Sequence, residues 1–184
     1  MNAGVVLSPA HKELAKQLAD ISFARYRNAP GHYRNLLNSH LVGRLGEFAA
    51  FTWLRDNGFN PTINTGTKGG DRLADISTDF GRCEVKTWSA KHWDQYGRCV
   101  SVSQLASIRK KADFIFWCVA DETDTDEPVV HFKGWCSVNV LDKNPATLMG
   151  VITRQVLNHQ LAQEDLHELS TLKQGAMNGQ ESNS

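Results

Sequence analysis

Residues Asp75 to Lys86 read Asp-Ile-Ser-Thr-Asp-Phe-Gly-Arg-Cys-Glu-Val-Lys. Two short runs with period-2 alternation flank Phe80-Gly81, which predicts a β-hairpin with its turn at that dipeptide. A strand sends alternate side chains to opposite faces, so Glu84 and Lys86 point one way and Val85 the other. With a turn of two or four residues, Asp75 is expected across from Lys86 and on its face. Ile76, Cys83 and Val85 then share the opposite, buried face. The hairpin would present two carboxylates and an ammonium together on an apolar support. Such a cluster is costly to build unless it binds a cation or does chemistry.

The surroundings extend this pattern. A helix is expected from about Asn38 to Asn57-Gly58, with Leu41, Leu45, Phe48 and Thr52 on one side and glycine at its end. Glu47 lies on another side, with Gly43 and Ala50 as small neighbours that permit close backbone approach. Taken alone, Glu47 is either an exposed helix acid or an acid aimed at the hairpin. Asp71 competes with Asp75 as the acid before the strand. Asp75 fits better because Ile76 after it continues the alternation, whereas Asp71 sits among loop residues.

Asp75, the Glu84-Val85-Lys86 tripeptide and the upstream helical Glu47 together resemble the PD-(D/E)XK nuclease superfamily, metal-dependent phosphodiesterases that include many restriction enzymes and Holliday-junction resolvases. Ala74 stands where the superfamily often has proline. The resemblance implies an α/β fold with a restriction endonuclease-like core, a central mixed β-sheet flanked by helices. It implies Mg²⁺ as cofactor, with Mn²⁺ as a substitute. Asp75 and Glu84 would be its ligands, the Val85 carbonyl a backbone ligand, and Glu47 the holder of a second metal or a water. Lys86 would orient the attacking water and offset developing negative charge. The substrate would be DNA, double-stranded or branched. A homodimer is in keeping with cutting both strands. The competing readings are a catalytically inactive member of the fold that binds nucleic acid or protein, and an unrelated α/β interaction protein.

The rest of the chain supplies candidates for nucleic-acid contact. Thr65 to Gly70 is a glycine-rich loop without the Walker A order, and Lys68 in it is placed to touch phosphate. Thr87 to Arg98 mixes basic and aromatic residues without periodicity and is expected as a loop, with Lys91 and Trp93 suited to phosphates and unstacked bases. A strand end at Val100 to Val102 leads into a helix from Ser103 to Lys111. The resemblance gives Gln104, in the first turn of that helix, a part in holding the active site. Arg109, Lys110 and Lys111 end the helix, where cations suit the negative dipole end as well as they suit DNA.

Asp113 to Val119 is the most apolar run and is expected as a buried central strand. Val129 to Trp135 follows as a further strand. Ser8-Pro9 opens a first helix with an apolar stripe of Leu14, Leu18 and Ile21. Helices are also expected at Pro145 to Leu157 and Gln163 to Leu172. Residues 1–173 are expected to form one domain and 174–184 a disordered polar tail.

Composition bounds the partners. The chain has 184 residues and no net charge, but residues 1–120 hold 16 Lys and Arg against 10 Asp and Glu. Residues 121–184 hold 4 against 10, so a basic region is compatible with phosphate backbones. No apolar run is long enough to span a membrane. Cys83, Cys99, Cys118 and Cys136 are widely spaced without a Cys-x-x-Cys, which suggests reduced core thiols and a cytoplasmic setting rather than zinc.

Overall fold

The computed structural model describes residues 4–26, 36–64, 72–121, 125–150 and 155–172. It is an α/β structure whose main sheet is mixed and has six strands. In chain order these are β1 (Gly4–Val6), β2 (Thr62–Ile63), β3 (Ile76–Thr78), β4 (Gly81–Ser89), β6 (Phe114–Asp121) and β7 (Val129–Ser137). They lie side by side in the order β1-β7-β6-β4-β3-β2. Only β4 and β6 run parallel, and the crossover joining them carries α3 (Ala90–Tyr96), β5 (Cys99–Ser101) and α4 (Val102–Lys111). A parallel pair needs such a long connection, whereas the neighbouring antiparallel pairs do not.

The apolar run beginning at Asp113 becomes β6, buried from Phe114 to Ala120. Its alternate side chains feed two cores, which explains why it lacks polar alternation. Phe114, Phe116, Cys118 and Ala120 join Ile76, Cys83 and Val85 beneath α1 (Pro9–Tyr26) and α2 (Leu37–Asp56). Ile115 and Trp117 point to the other face, where they meet Leu105 and Ile108 of α4. Helices therefore cover both faces of the sheet, as expected.

Ser8 begins α1 as expected, its hydroxyl accepting the His11 N–H at 3.3 Å. The expected stripe holds only at Leu18, which packs against the core: Leu14 and Ile21 are exposed, and Lys12, Ala15, Ala19 and Ser22 are the buried positions. Small residues at this spacing let α1 lie close against α2. The predicted side of α2 does face the core, with Leu45 and Phe48 buried. Its contact with the sheet centres on Gly46, where an added Cβ would lie 1.7 Å from Thr87 Oγ1. Only glycine permits that approach, and it carries the neighbouring Glu47 down to the sheet.

Three further expectations are corrected. The segment after Lys86 is not a loop: β4 continues through Ser89, and α3 follows, closed by Gly97. None of the α3 residues is buried, so the helix has no apolar stripe by which to recognise it. In place of a helix at Pro145 to Leu157, β8 (Thr147–Met149) and β9 (Val156–Gln160) form a second sheet in the order β5-β9-β8. Pairing with β5, whose Val100 is buried, overrides the local helical signal.

In place of a helix at Gln163 to Leu172 there are two short 3₁₀ turns, Gln163–Asp165 and Leu169–Thr171. Between them His167 exchanges two backbone hydrogen bonds with Trp135 on β7, at 2.9 and 2.8 Å, and this keeps the chain extended. Residues 173–184 lie outside the described residues. All four cysteines are free and buried. Among the described residues, no helix is long and apolar enough to cross a membrane.

Candidate active site

The β3–β4 hairpin turns through Asp79 and Phe80, with Thr78 opposite Gly81. Thr78 Oγ1 donates to the Gly81 carbonyl at 2.7 Å and holds the turn. The register pairs Ile76 with Cys83, so the residue before the strand, Asp75, stands opposite Glu84. The expected pairing of Asp75 with Lys86 is thus corrected by two positions, because the turn is centred one residue earlier. Parity is preserved, and Asp75, Glu84 and Lys86 still share a face. The two carboxylates are closer partners than the sequence implied.

Cys83 and Val85 enter the core under α2, and this directs Glu84 and Lys86 to the face covered by α4. Glu84 is only 4% exposed. Its Oε1 lies 2.9 Å from Lys86 Nζ and its Oε2 lies 2.7 Å from Lys111 Nζ. Asp75 is half-buried, and its Oδ2 accepts the Val85 N–H at 2.8 Å. This bond continues the hairpin ladder one step past the last β3 pair. The Val85 carbonyl leaves β4 on the same edge as its N–H, toward Asp75.

Glu47 is buried on α2, with both carboxylate oxygens held by Arg44 Nη1 at 2.9 and 2.7 Å. Its charge reaches Asp75. Burial, then the Glu84 and Glu47 carboxylates, push the Asp75 carboxyl well above the ordinary aspartate range, against the pull of Lys111 and Lys86. Burial also acts on Glu84, but there the two lysines outweigh it and hold the group below the usual glutamate range. Asp75, Glu84, Lys86 and Lys111 thus stand together at the hairpin, while Glu47, held by Arg44 on α2, acts on Asp75 through its charge.

Protein-family models, curated proteins and solved structures give no match to this chain. Its site is characterised by its own geometry.

Two members of the cluster were missed by sequence reasoning, Lys111 and Arg44. Lys111 lies three residues after buried Ile108 and six after buried Leu105, on the inward stripe of α4. Arg109 and Lys110 are exposed, so the three consecutive cations have different fates. That helical spacing was the signal available. Arg44 lies one turn before Glu47, at a spacing that favours a side-chain ion pair.

The expected nucleic-acid contacts are dispersed. Lys91 is exposed on α3. Trp93 is half-buried against the second core, with Arg98 and Lys133 over its ring at 5.7 and 5.8 Å from the centroid. Gln104 is half-buried in the first turn of α4, seven residues and about two turns before Lys111. Lys68 and Asp71 lie outside the described residues.

Among the described residues, no group of three or more His, Cys, Asp or Glu side chains is gathered so as to hold a metal ion. The donor set is nonetheless suited to a hard cation. It is all oxygen, Glu84 and Glu47 are buried and Asp75 is half-buried, and the carboxylates repel one another through Asp75. Mg²⁺ is commonly held by one or two carboxylates and keeps several waters, so it needs no closed cage. Asp75 and Glu84 are adjacent across the hairpin, but both Glu84 oxygens are paired with lysine ammoniums that a cation would have to displace.

Proposed function

We propose that this chain is a Mg²⁺-dependent DNA endonuclease with a restriction endonuclease-like core, cutting the phosphodiester backbone of double-stranded or branched DNA. The observation that carries the reading is the cross-strand pair of Asp75 and Glu84, with Lys86 bonded to Glu84. A fold gains little from a buried and a half-buried acid side by side, since each resists the ionisation of the other. A cation-assisted hydrolase gains its active site from the same arrangement.

Asp75 and Glu84 would hold the cation, with the Val85 carbonyl on the same edge. The chemistry a bound Mg²⁺ supplies is charge neutralisation on the phosphate and a more acidic water. Lys86, tied to Glu84 Oε1, is fixed by the strand two residues along. Its ammonium donates hydrogen bonds to the attacking water and offsets charge on the phosphate oxygens. Its ammonium is tied to Glu84, which suits it to orient the water. Two chains acting together would cut both strands, which makes a homodimer the expected assembly on DNA.

A catalytically inactive fold that binds nucleic acid or protein is the second reading. It is favoured by one observation: Glu84 and Glu47 are already ion-paired, to Lys86 and Lys111 and to Arg44. Cleavage of supercoiled plasmid, linear duplex and four-way junction DNA with Mg²⁺ separates the two. Cutting that Asp75→Asn and Lys86→Ala abolish supports the endonuclease. DNA binding with no cutting of any of the three supports the inactive fold.

A further inference from the structure

Away from the hairpin acids, two cations meet at one side chain. The Arg98 guanidinium and the Lys133 ammonium stand 5.7 and 5.8 Å from the centroid of the Trp93 ring. All three residues are half-buried. Arg98 Nε donates to the Leu161 carbonyl at 3.2 Å. Among the described residues, the two Nη nitrogens of Arg98 and Lys133 Nζ have no hydrogen-bond acceptor and no acidic partner. Like charges gathered in this way repel, and half-burial weakens the solvent screening that would relieve them. Attraction to the ring offsets only part of that cost.

Each cation is delivered by a departure from regular backbone. Lys86 pairs with Trp117, Trp117 with Gly134 and Cys118 with Phe132, which leaves Lys133 as the extra residue of a β-bulge. Phe132 turns into the core beneath α2, so Lys133 turns to the opposite face, where Trp93 packs in the same cluster as Trp117. A bulge re-aims a side chain in this manner. Arg98 has φ 60° and is the one non-glycine residue with positive φ among the described residues. That left-handed conformation strains a residue with a Cβ, and such strain gathers where a side chain is held for a purpose. The Arg98 carbonyl accepts the Leu161 N–H at 2.9 Å, so backbone and Nε together fix the stem of the side chain.

We propose that Arg98 and Lys133 form a phosphate-binding site for the DNA backbone, on the face of the sheet that carries Glu84 and Lys86. Lys86, Trp117 and Lys133 follow one row across β4, β6 and β7, and two strand spacings separate β4 from β7 by about 10 Å. A strand of DNA laid along this row presents one phosphate to Lys86 and another to the pair. The guanidinium offers a planar fork to two phosphate oxygens, and the ammonium adds a point charge. Trp93 is a positioning residue that holds both cations. It is not a platform for bases, because an added Cβ at Gly97 would lie 2.6 Å from its Cε3 and 2.8 Å from its Cδ2, so the Gly97 backbone already lies against the ring. The site rests on the DNA-binding part of the endonuclease reading and requires neither a divalent cation nor cleavage.

The test is binding of a fluorescein-labelled DNA duplex to the full chain in EDTA, followed by anisotropy over a series of salt concentrations. Lys133→Gln and Arg98→Gln are each expected to weaken binding alike for unrelated sequences. Each should also make the slope of log K against log salt shallower by about 0.9, the share of one phosphate contact. Lys133→Arg should restore the slope, which a merely structural role would not predict. Lys16→Gln, an equal loss of charge on exposed α1 across the sheet, should leave the slope within error of wild type. Wild-type binding with slopes for Lys133→Gln and Arg98→Gln no different from that of Lys16→Gln overturns the inference and leaves the DNA reading standing. No binding of the duplex by the wild-type chain overturns both.

Discussion

Replacing Gly46 with alanine tests how Glu47 is brought to the sheet. An alanine Cβ would lie 1.7 Å from Thr87 Oγ1, 2.8 Å from its Cβ and 3.0 Å from its Cγ2. Two of these contacts involve the Thr87 side-chain tips, but the third is to an atom fixed to the β4 backbone, so rotation about χ1 gives no escape. Helix α2 and strand β4 must separate. Overpacking of this severity costs about 3 kcal/mol or more. Alanine in a helix interior returns about 1 kcal/mol relative to glycine, leaving a net loss of about 2 kcal/mol. For a chain of this size that lowers the melting temperature by about 4–8 °C.

The assay is urea denaturation read by Trp fluorescence. Thr87→Ala serves as partner, because Thr87 Oγ1 is buried without a hydrogen-bond partner and its loss costs little. The double variant is expected to recover about 1 kcal/mol relative to Gly46→Ala, a coupling that a mere propensity effect would not produce. Gly46→Ala protein as stable as wild type would refute the close approach and the route by which Glu47 reaches Asp75.

Other outcomes follow from the same cluster and its supports. Asp75→Asn keeps an acceptor for the Val85 N–H and removes a carboxyl whose folded-state pKa is raised by burial and by Glu84 and Glu47. A raised carboxyl means the folded chain holds its proton longer than the unfolded one, so the wild type loses stability as pH climbs from about 4 toward the folded value. The urea midpoint of Asp75→Asn minus that of wild type should therefore grow with pH over that window. Asp113 behaves oppositely. Arg82 holds it below its ordinary value, so its contribution is present above about pH 4 and is lost as pH falls through the folded value. Asp113→Asn should cost about 1 kcal/mol or less at pH 7, since both partners are half-exposed, and the difference should vanish in acid.

What the sequence revealed follows from period and parity. The hairpin alternation placed Glu84 and Lys86 on one face and Cys83 and Val85 in the core, because a strand leaves no other choice once one face is buried. The β6 run announced itself by apolarity on both faces. The exact partner of Asp75 was not legible, since moving the turn by one residue shifts the register by two without disturbing any alternation. α3 was invisible because none of its residues is fully buried, and β9 because its conformation is set by β5, distant in sequence. Lys111 was hidden among Arg109 and Lys110. Only the spacing from Leu105 and Ile108 separates it from its exposed neighbours, and its partner Glu84 lies on another strand.

The most direct test of the central claim is cutting of plasmid, duplex and junction DNA by the wild-type chain with Mg²⁺, beside Glu84→Gln and Lys86→Ala proteins shown to be folded. The account predicts metal-dependent strand scission that both variants lose. Wild-type protein that leaves all three DNAs intact, or variants that cut as well as wild type, would contradict it.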